Sequence, residues 1–185
     1  PVTVELLKGK IEQEFLRLGR TAQPRVLCEL LEIVNEKWRN AVEGYLNTQR
    51  FYLLVEPEHF DIALGVYEKL RKEKKVYGVG LINTGKLEAY DTVPEGSLAS
   101  MVESKSIYAK RYINMILGKV HMCDRFEDLK KYEVSITANC MRYQNHVASA
   151  IKPQIYEQPF IGQNAVKIQL EQTKMQLAAE KEKGK

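Results

Sequence analysis

The sequence predicts an α/β domain of two pseudo-repeated βαβ lobes, flanked at its N and C termini by helices that pack antiparallel as coiled-coil ends. Three observations lead there. Apolar residues recur at helical spacing at both ends of the chain. The block between them carries one pattern of caps and apolar positions twice. The first copy holds a short, continuous apolar run, FYLLV, of the kind that fills a parallel strand buried on both faces, and KVHMCD matches it in the second.

At 185 residues, the chain is long enough for one domain, or two lobes sharing a core, to fold without a staple. No apolar run approaches the roughly 20 residues that span a bilayer, so no membrane association is expected. The chain begins at Pro1 with no Met and no secretory pattern, and with its abrupt helical ends it is expected to be a segment of a longer polypeptide. Cys28, Cys123 and Cys140 are an odd count without regular spacing, which favours reduced thiols and a cytoplasmic setting. A net charge of +4 permits an acidic partner without demanding one.

Val4, Leu7, Ile11, Phe15 and Leu18 mark a helix over residues 4–18, within a first arm end at 1–20. An isolated helix of this length is marginal in water and Gly9 weakens it, so a packing partner is required. The first lobe spans 21–82. Val26, Leu27, Leu30, Leu31 and Val34 predict a short helical face, after which Asn35 caps a helix built on Trp38, Ala41, Val42, Tyr45 and Leu46. Residues 51–55, FYLLV, predict a buried strand. Pro57, Glu58 and Asp61 suit the first turn of a helix whose stripe is Phe60, Leu64, Tyr67 and Leu70, and a strand over 76–82 follows. Residues 83–97, with Gly85, Pro94 and Gly96, form a polar connection.

The second lobe spans 98–160. A shift of 71 positions pairs Leu27 with Leu98, Leu30 with Met101, Leu31 with Val102, Glu32 with Glu103, the cap Asn35 with Ser106, Val42 with Ile113 and Leu46 with Leu117. Gly118 ends its helix where Asn47 ended the first, both residues that tolerate a left-handed conformation. KVHMCD at 119–124 then matches FYLLVE at 51–56. Asp124 and Glu127 suggest a capping box for a short helix on Phe126 and Leu129. Val134 and Ile136 supply the next strand, with residues 141–143 as a hairpin partner. In each lobe, strand, helix and strand joined by short connections imply parallel pairing through a right-handed crossover. Val166, Leu170, Thr173 and Leu177 mark a last helix over 165–177, within an arm end at 161–185.

No catalytic residue, metal ligand set or cofactor site is predicted. GxGxxG, GxxxxGK[ST], GxSxG, HExxH and CxxC are all missing from the chain. His121 and Cys123 share a strand face, with Cys140 and His146 downstream, but the spacing fits no zinc pattern and suits a buried thiol beside a partly buried imidazole. Lys69, Arg71, Lys72, Lys74 and Lys75 close a helix, where cations complement the dipole and stay solvated.

The stretch ELLEIVNEKWRNAVEGYLNTQRFYLLVEPEHFDIALGVYEKL resembles the first half of an SMC hinge domain, where a helix precedes a buried strand and another helix follows an acidic turn. LGKVHMCDRFEDLKKYEVSITANCMRY resembles the second half, and the similarity covers about residues 24–143. The length and the tail YEQPFIGQNA look closer to bacterial SMC-like subunits of the MukB and Wadjet plasmid-defence types than to cohesin or condensin subunits. Two features depart from the family pattern. Its Asp-Gly after the last Thr is Asn139-Cys140 here, and the glycine-rich dimer segment is NHVASAI at 145–151. The resemblance implies a non-catalytic, nucleoid-associated homodimer that joins the coiled-coil arms of an ATPase acting on DNA, in chromosome organisation or plasmid defence.

Exposed strand edges place the dimer contacts at Tyr77, Val79 and Leu81 in one lobe and at Ile136, Met141 and Tyr143 in the other. Weak, non-specific DNA contacts are expected at Arg71, Lys72, Lys74 and Lys75 and at the repeat-equivalent Lys130 and Lys131. The rival reading is a small nucleotide- or metal-dependent α/β enzyme inserted in a helical hairpin.

Overall fold

The computed structural model describes residues 1–74 and 76–184, the side chain of Lys74 excepted. Helix α1 (Val2–Arg17) buries Val4, Leu7, Ile11 and Phe15, the apolar stripe of the sequence. Strand β1 (Arg25–Val26), a 3-10 turn over Leu27–Leu30 and strand β2 (Glu32–Ile33) follow. The helical face expected over 26–34 is therefore replaced by an extended–turn–extended path. Leu27 and Leu31 stay fully buried, but the Leu27 N–H bonds Tyr52 O and the Val34 N–H bonds Met101 O, so distant backbone takes the bonds a helix would have made locally.

The Asn35 side chain accepts from the Lys37 N–H at 3.0 Å and opens a 3-10 turn, Glu36–Trp38, that runs into α2 (Arg39–Leu46). The strand expected at 51–55 shrinks to β3 (Leu53–Leu54), because Asn47–Phe51 coils as a 3-10 turn. Helix α3 (Phe60–Lys74) comes next, entered through a turn that begins at Pro57. The strand expected at 76–82 shrinks to β4 (Leu81–Ile82): Gly78 takes φ +81°, and the Val79 N–H bonds the Tyr67 hydroxyl instead of a ladder. Strand order is β1-β3-β4, with Val26 opposite Leu53 antiparallel and Leu53 opposite Leu81 parallel.

The second copy repeats these departures. Leu98–Met101 is a 3-10 turn and β5 (Val102–Glu103) follows. Ser106 accepts from the Ala109 N–H at 3.2 Å and caps α4 (Ile107–Leu117). Gly118 closes α4 in the right-handed region, so the left-handed stop expected there is corrected, although Asn47 does take φ +50°. A Cβ on Gly118 would press on the Asn114 carbonyl, which is why a small residue sits there. Strand β6 (His121–Cys123) leads to a 3-10 turn, Phe126–Lys131, in place of the capped helix. Asp124 pairs with Lys37, Glu127 with Arg125, and Phe126 is exposed, so only Leu129 anchors that turn. Strands β7 (Ser135–Thr137), β8 (Met141–Gln144) and β9 (Val147–Ala150) complete a sheet in the order β6-β7-β8-β9.

His121 pairs with Ser135 in parallel, as Leu53 pairs with Leu81, and the Ser97–His121 bridge stands where β1 meets β3. A third ladder joins the copies: β2 and β5 run antiparallel with Glu32 opposite Glu103. Those two residues are repeat mates, as an internal two-fold axis through the ladder requires. A single apolar core runs through both copies.

After α5 (Pro153–Tyr156), helix α6 (Gly162–Lys183) ends the chain. Both terminal helices are present, but α1 gains its burial from α3 and not from α6. The Phe15 ring lies 5.3 Å from that of His59 at the head of α3, and Pro1 and Val4 line a hollow with Tyr77 and Val79 beyond its end. Helix α6 packs at its root on β2 and the Leu27–Leu30 turn, and beyond Ala165 its stripe of Val166, Leu170 and Leu177 is exposed. No helix among the described residues is long and apolar enough to cross a membrane.

Candidate functional site

The register identifies which strands offer free backbone. In the β8–β9 hairpin, Asn145 (φ +54°) and His146 (φ +61°) form a two-residue turn, with Gln144 opposite Val147. Alternate pairs bond each other, and the Ile151 N–H to Cys140 O bond of 3.0 Å fixes which ones. Ala148 and Ala150 therefore turn their N–H and C=O groups outward, along the open side of β9. On β4, Gly80 O accepts from the Leu53 N–H at 2.9 Å, so Leu81 turns its own backbone groups away from β3. Among the described residues, these two short rows, on opposite copies of the repeat, are unpaired edges.

Each edge has a distinct surface. Val147, Ala148 and Ala150 are exposed and small, so another strand can approach closely. Beside β4 lies a groove of about 360 Å³ lined by Tyr52, Leu81, Leu87, Tyr90, Tyr112 and Met115. Gly80 keeps it open at the strand: a Cβ there would meet the Tyr52 ring at 2.6 Å.

Of the six residues predicted at strand edges, Leu81 sits on one. Tyr77 is 62% exposed but precedes the strand, and Val79 is buried. Ile136 is corrected: it is fully buried in β7, with β6 on one side and β8 on the other. Met141 and Tyr143 lie in β8, which β9 covers, so the edge in this half is one strand later than expected. Sequence reasoning missed β9 because Asn-His is a weaker turn signal than Asn-Gly, and because VASA carries one branched residue and no aromatic one among small side chains.

The predicted basic residues are partly neutralised within their own helices. Arg71 holds Glu68 at 2.6 Å with Lys72 at 3.7 Å from it, and Lys131 holds Asp128 at 2.8 Å. Lys130 is exposed. The Lys74 side chain and Lys75 lie outside the described residues.

The histidines and cysteines fall in separate places. His121 stacks on Tyr132 with ring centroids 3.6 Å apart, His146 forms the hairpin turn, and the three thiols are buried. Among the described residues, no group of three His, Cys, Asp or Glu side chains is placed to hold a metal. Burial pushes Cys28 up to about 12 and Cys140 to about 11, and raises Cys123, so these thiols are protonated and poor nucleophiles.

A buried polar cluster, which sequence reasoning also missed, ties the start of α6 to α2. Glu43 is fully buried. It accepts from Arg39 Nη1 at 3.0 Å, from Arg50 Nη1 at 2.8 Å, and from the backbone N–H groups of Phe160 and Ile161 at 2.9 and 3.1 Å. Arg39 also donates to Ile161 O and Arg50 to Ile155 O, both at 2.9 Å. Glu36 takes the rest of the Arg39 fork and the Asn164 amide.

No protein-family model matches the chain, and no curated protein matches it by sequence. Among solved structures, it is similar to the Pyrococcus furiosus SMC hinge domain at 17% identity and TM-score 0.55, covering 80% of this chain and 86% of that one. The Geobacillus stearothermophilus SMC hinge domain, solved as an asymmetric dimer, matches at 12% and 0.56, over 91% and 75% of the two chains. The S. pombe Smc5/6 hinge domain matches at 11% and 0.54, over 94% and 77%. At these identities, what is shared is the fold.

Proposed function

We propose that the chain is the hinge of an SMC-like ATPase, a non-catalytic module in which residues 21–82 and 98–160 are two lobes that dimerise with a second copy. The observation that carries this is the pair of unpaired edges, β4 and β9, on opposite lobes. A strand edge pairs readily with another chain. If β4 of one copy lies beside β9 of the other, two-fold symmetry repeats the contact, and four edges are satisfied at once. The small side chains of β9 stand in for the glycines of the family's dimer segment, and the aromatic groove beside β4 receives Val147. Tyr77 lies alongside.

Placement among bacterial MukB-type or Wadjet-type subunits, and a cytoplasmic role on DNA in plasmid defence or chromosome organisation, belong to the same proposal. They rest on the length of the chain and the YEQPFIGQNA segment.

The test is solution mass by light scattering at tens of micromolar, a range that captures contacts with micromolar Kd. The parent is expected to be a dimer. Ala148→Pro removes an N–H that faces outward, so it leaves the β8–β9 bonds intact, and proline is tolerated at a strand edge. It is expected to give a folded monomer. A parent that stays monomeric at every concentration would sink the proposal, and a variant that still dimerises would move the interface off β9.

A further inference from the structure

We infer that Glu43 is a positioning residue that locks the root of the C-terminal helix onto the first lobe, although that helix follows the second lobe in the chain. The inference rests on the hinge reading for its meaning, since it concerns how an arm leaves the domain.

The tethers of 155–164 described above end on residues 36–50, in the first lobe, while the Tyr156 side chain also meets Cys140 in the second. Glu43 grips two backbone N–H groups, and Arg39 and Arg50 grip two carbonyls of the same segment. Arg50 also lies 5.1 and 5.2 Å from the rings of Phe51 and Phe160, which meet edge to face. Gln163 donates its N–H to Glu32. Gly162, at φ +76°, brings the chain so close that a Cβ would fall 2.9 Å from Leu31 O. Helix α1 packs on α3, also in the first lobe. Both arms are therefore rooted on one half of the molecule.

The repeat supplies an internal comparison. A shift of 71 places Asn114 at the Glu43 position and Lys110 at that of Arg39. Asn114 is also buried, and its amide donates to Tyr90 O in the inter-lobe connection at 2.9 Å. Its Oδ1 has no hydrogen-bond partner among the described residues, and Lys110 caps the carbonyls of Ala99 and Val102. The second lobe thus builds the same helix around a neutral residue, so the fold does not need a charge at this position. A buried ion cluster is poor evidence of added stability, since desolvation offsets its attraction, but it does impose one geometry. Two carboxylates and two guanidiniums, each with several aligned partners, tolerate one direction of the segment they hold.

The test attaches spin labels at Leu16→Cys on α1 and Met175→Cys on α6, both exposed. The native thiols are buried and protonated, so labelling is selective. In Glu43→Gln, the carboxamide presents N–H to N–H. Amide exchange of the 157–164 segment is expected to rise at least tenfold, and the α1–α6 distance distribution to broaden, while exchange of β7 and the dimer mass stay unchanged. A uniform rise across the molecule, or an unbroadened distribution, overturns the inference. If Glu43→Gln does not fold, Glu36→Gln decides. Its half-exposed carboxylate lies outside the core, and it should broaden the distribution with about threefold faster exchange; no change there refutes the clamp. A loss of the dimer in the parent would refute the hinge reading and leave the clamp standing.

Discussion

At the residue scale, single conformational choices set the free strand edges. The β8–β9 turn needs two consecutive positive φ values, and His146 supplies the second at +61°. A side chain with a Cβ pays roughly 1 kcal/mol for that region, whereas Gly enters it freely at some cost in unfolded-state entropy. His146→Gly, creating an Asn-Gly turn, is expected to stabilise the fold by about 0.5 kcal/mol, read as a higher denaturant midpoint with unchanged slope. A lower midpoint would mean the imidazole makes a contact worth more than the strain. Glu43 shows the other side of this scale. Acidic residues in a helix usually face solvent, so its type gave no hint of full burial; four donors from three segments keep it there.

At the element scale, the junction of α2 and α6 responds to protons in a direction that follows from geometry. The hydrogen bond from Arg39 holds the Glu36 carboxyl below its ordinary value of 4.5; burial opposes this, and Asn164 adds to it. A folded-state value below the unfolded one means stability is present above the unfolded value and is lost as pH falls through the folded one. Melting temperatures of the parent and Glu36→Gln are expected to differ at about pH 6 and to converge as pH falls through the folded-state value. Because half of that side chain is exposed, added salt should shrink the difference. A gap that persists at low pH would assign the effect to packing. Element boundaries show the same division. Helices α2, α3 and α4 were legible because caps such as Asn35 and Ser106 and apolar periodicity act within one or two turns. The stretches 26–34 and 98–103 look helical in period, yet they form turns and ladders because Tyr52, Met101 and Val120 offer them backbone partners from far along the chain.

At the scale of the whole molecule, the proposed dimer would array the basic helix ends in a two-fold pattern, although Glu68 and Asp128 offset Arg71, Lys72 and Lys131 within each copy. Non-specific DNA binding, if these residues provide it, is counterion release: Lys72→Glu with Lys130→Glu should weaken binding and reduce the salt slope by about 2. Equal affinity and slope would leave the run a solvated helix end. What the sequence by itself determined is the duplication, the helices at both ends and helices α2, α3 and α4, because periodicity, caps and repeat spacing are local in the chain. Tertiary structure alone decided the rest. It placed the first helix against α3, moved the free edge of the second lobe from β8 to β9, and rooted the last helix on the first lobe. The physical reason is common to all three: an apolar stripe, a buried polar group or an unpaired strand is satisfied by whichever partner lies nearest in space. Glu43 and the Phe160 N–H are 117 residues apart in the chain and 2.9 Å apart in the fold.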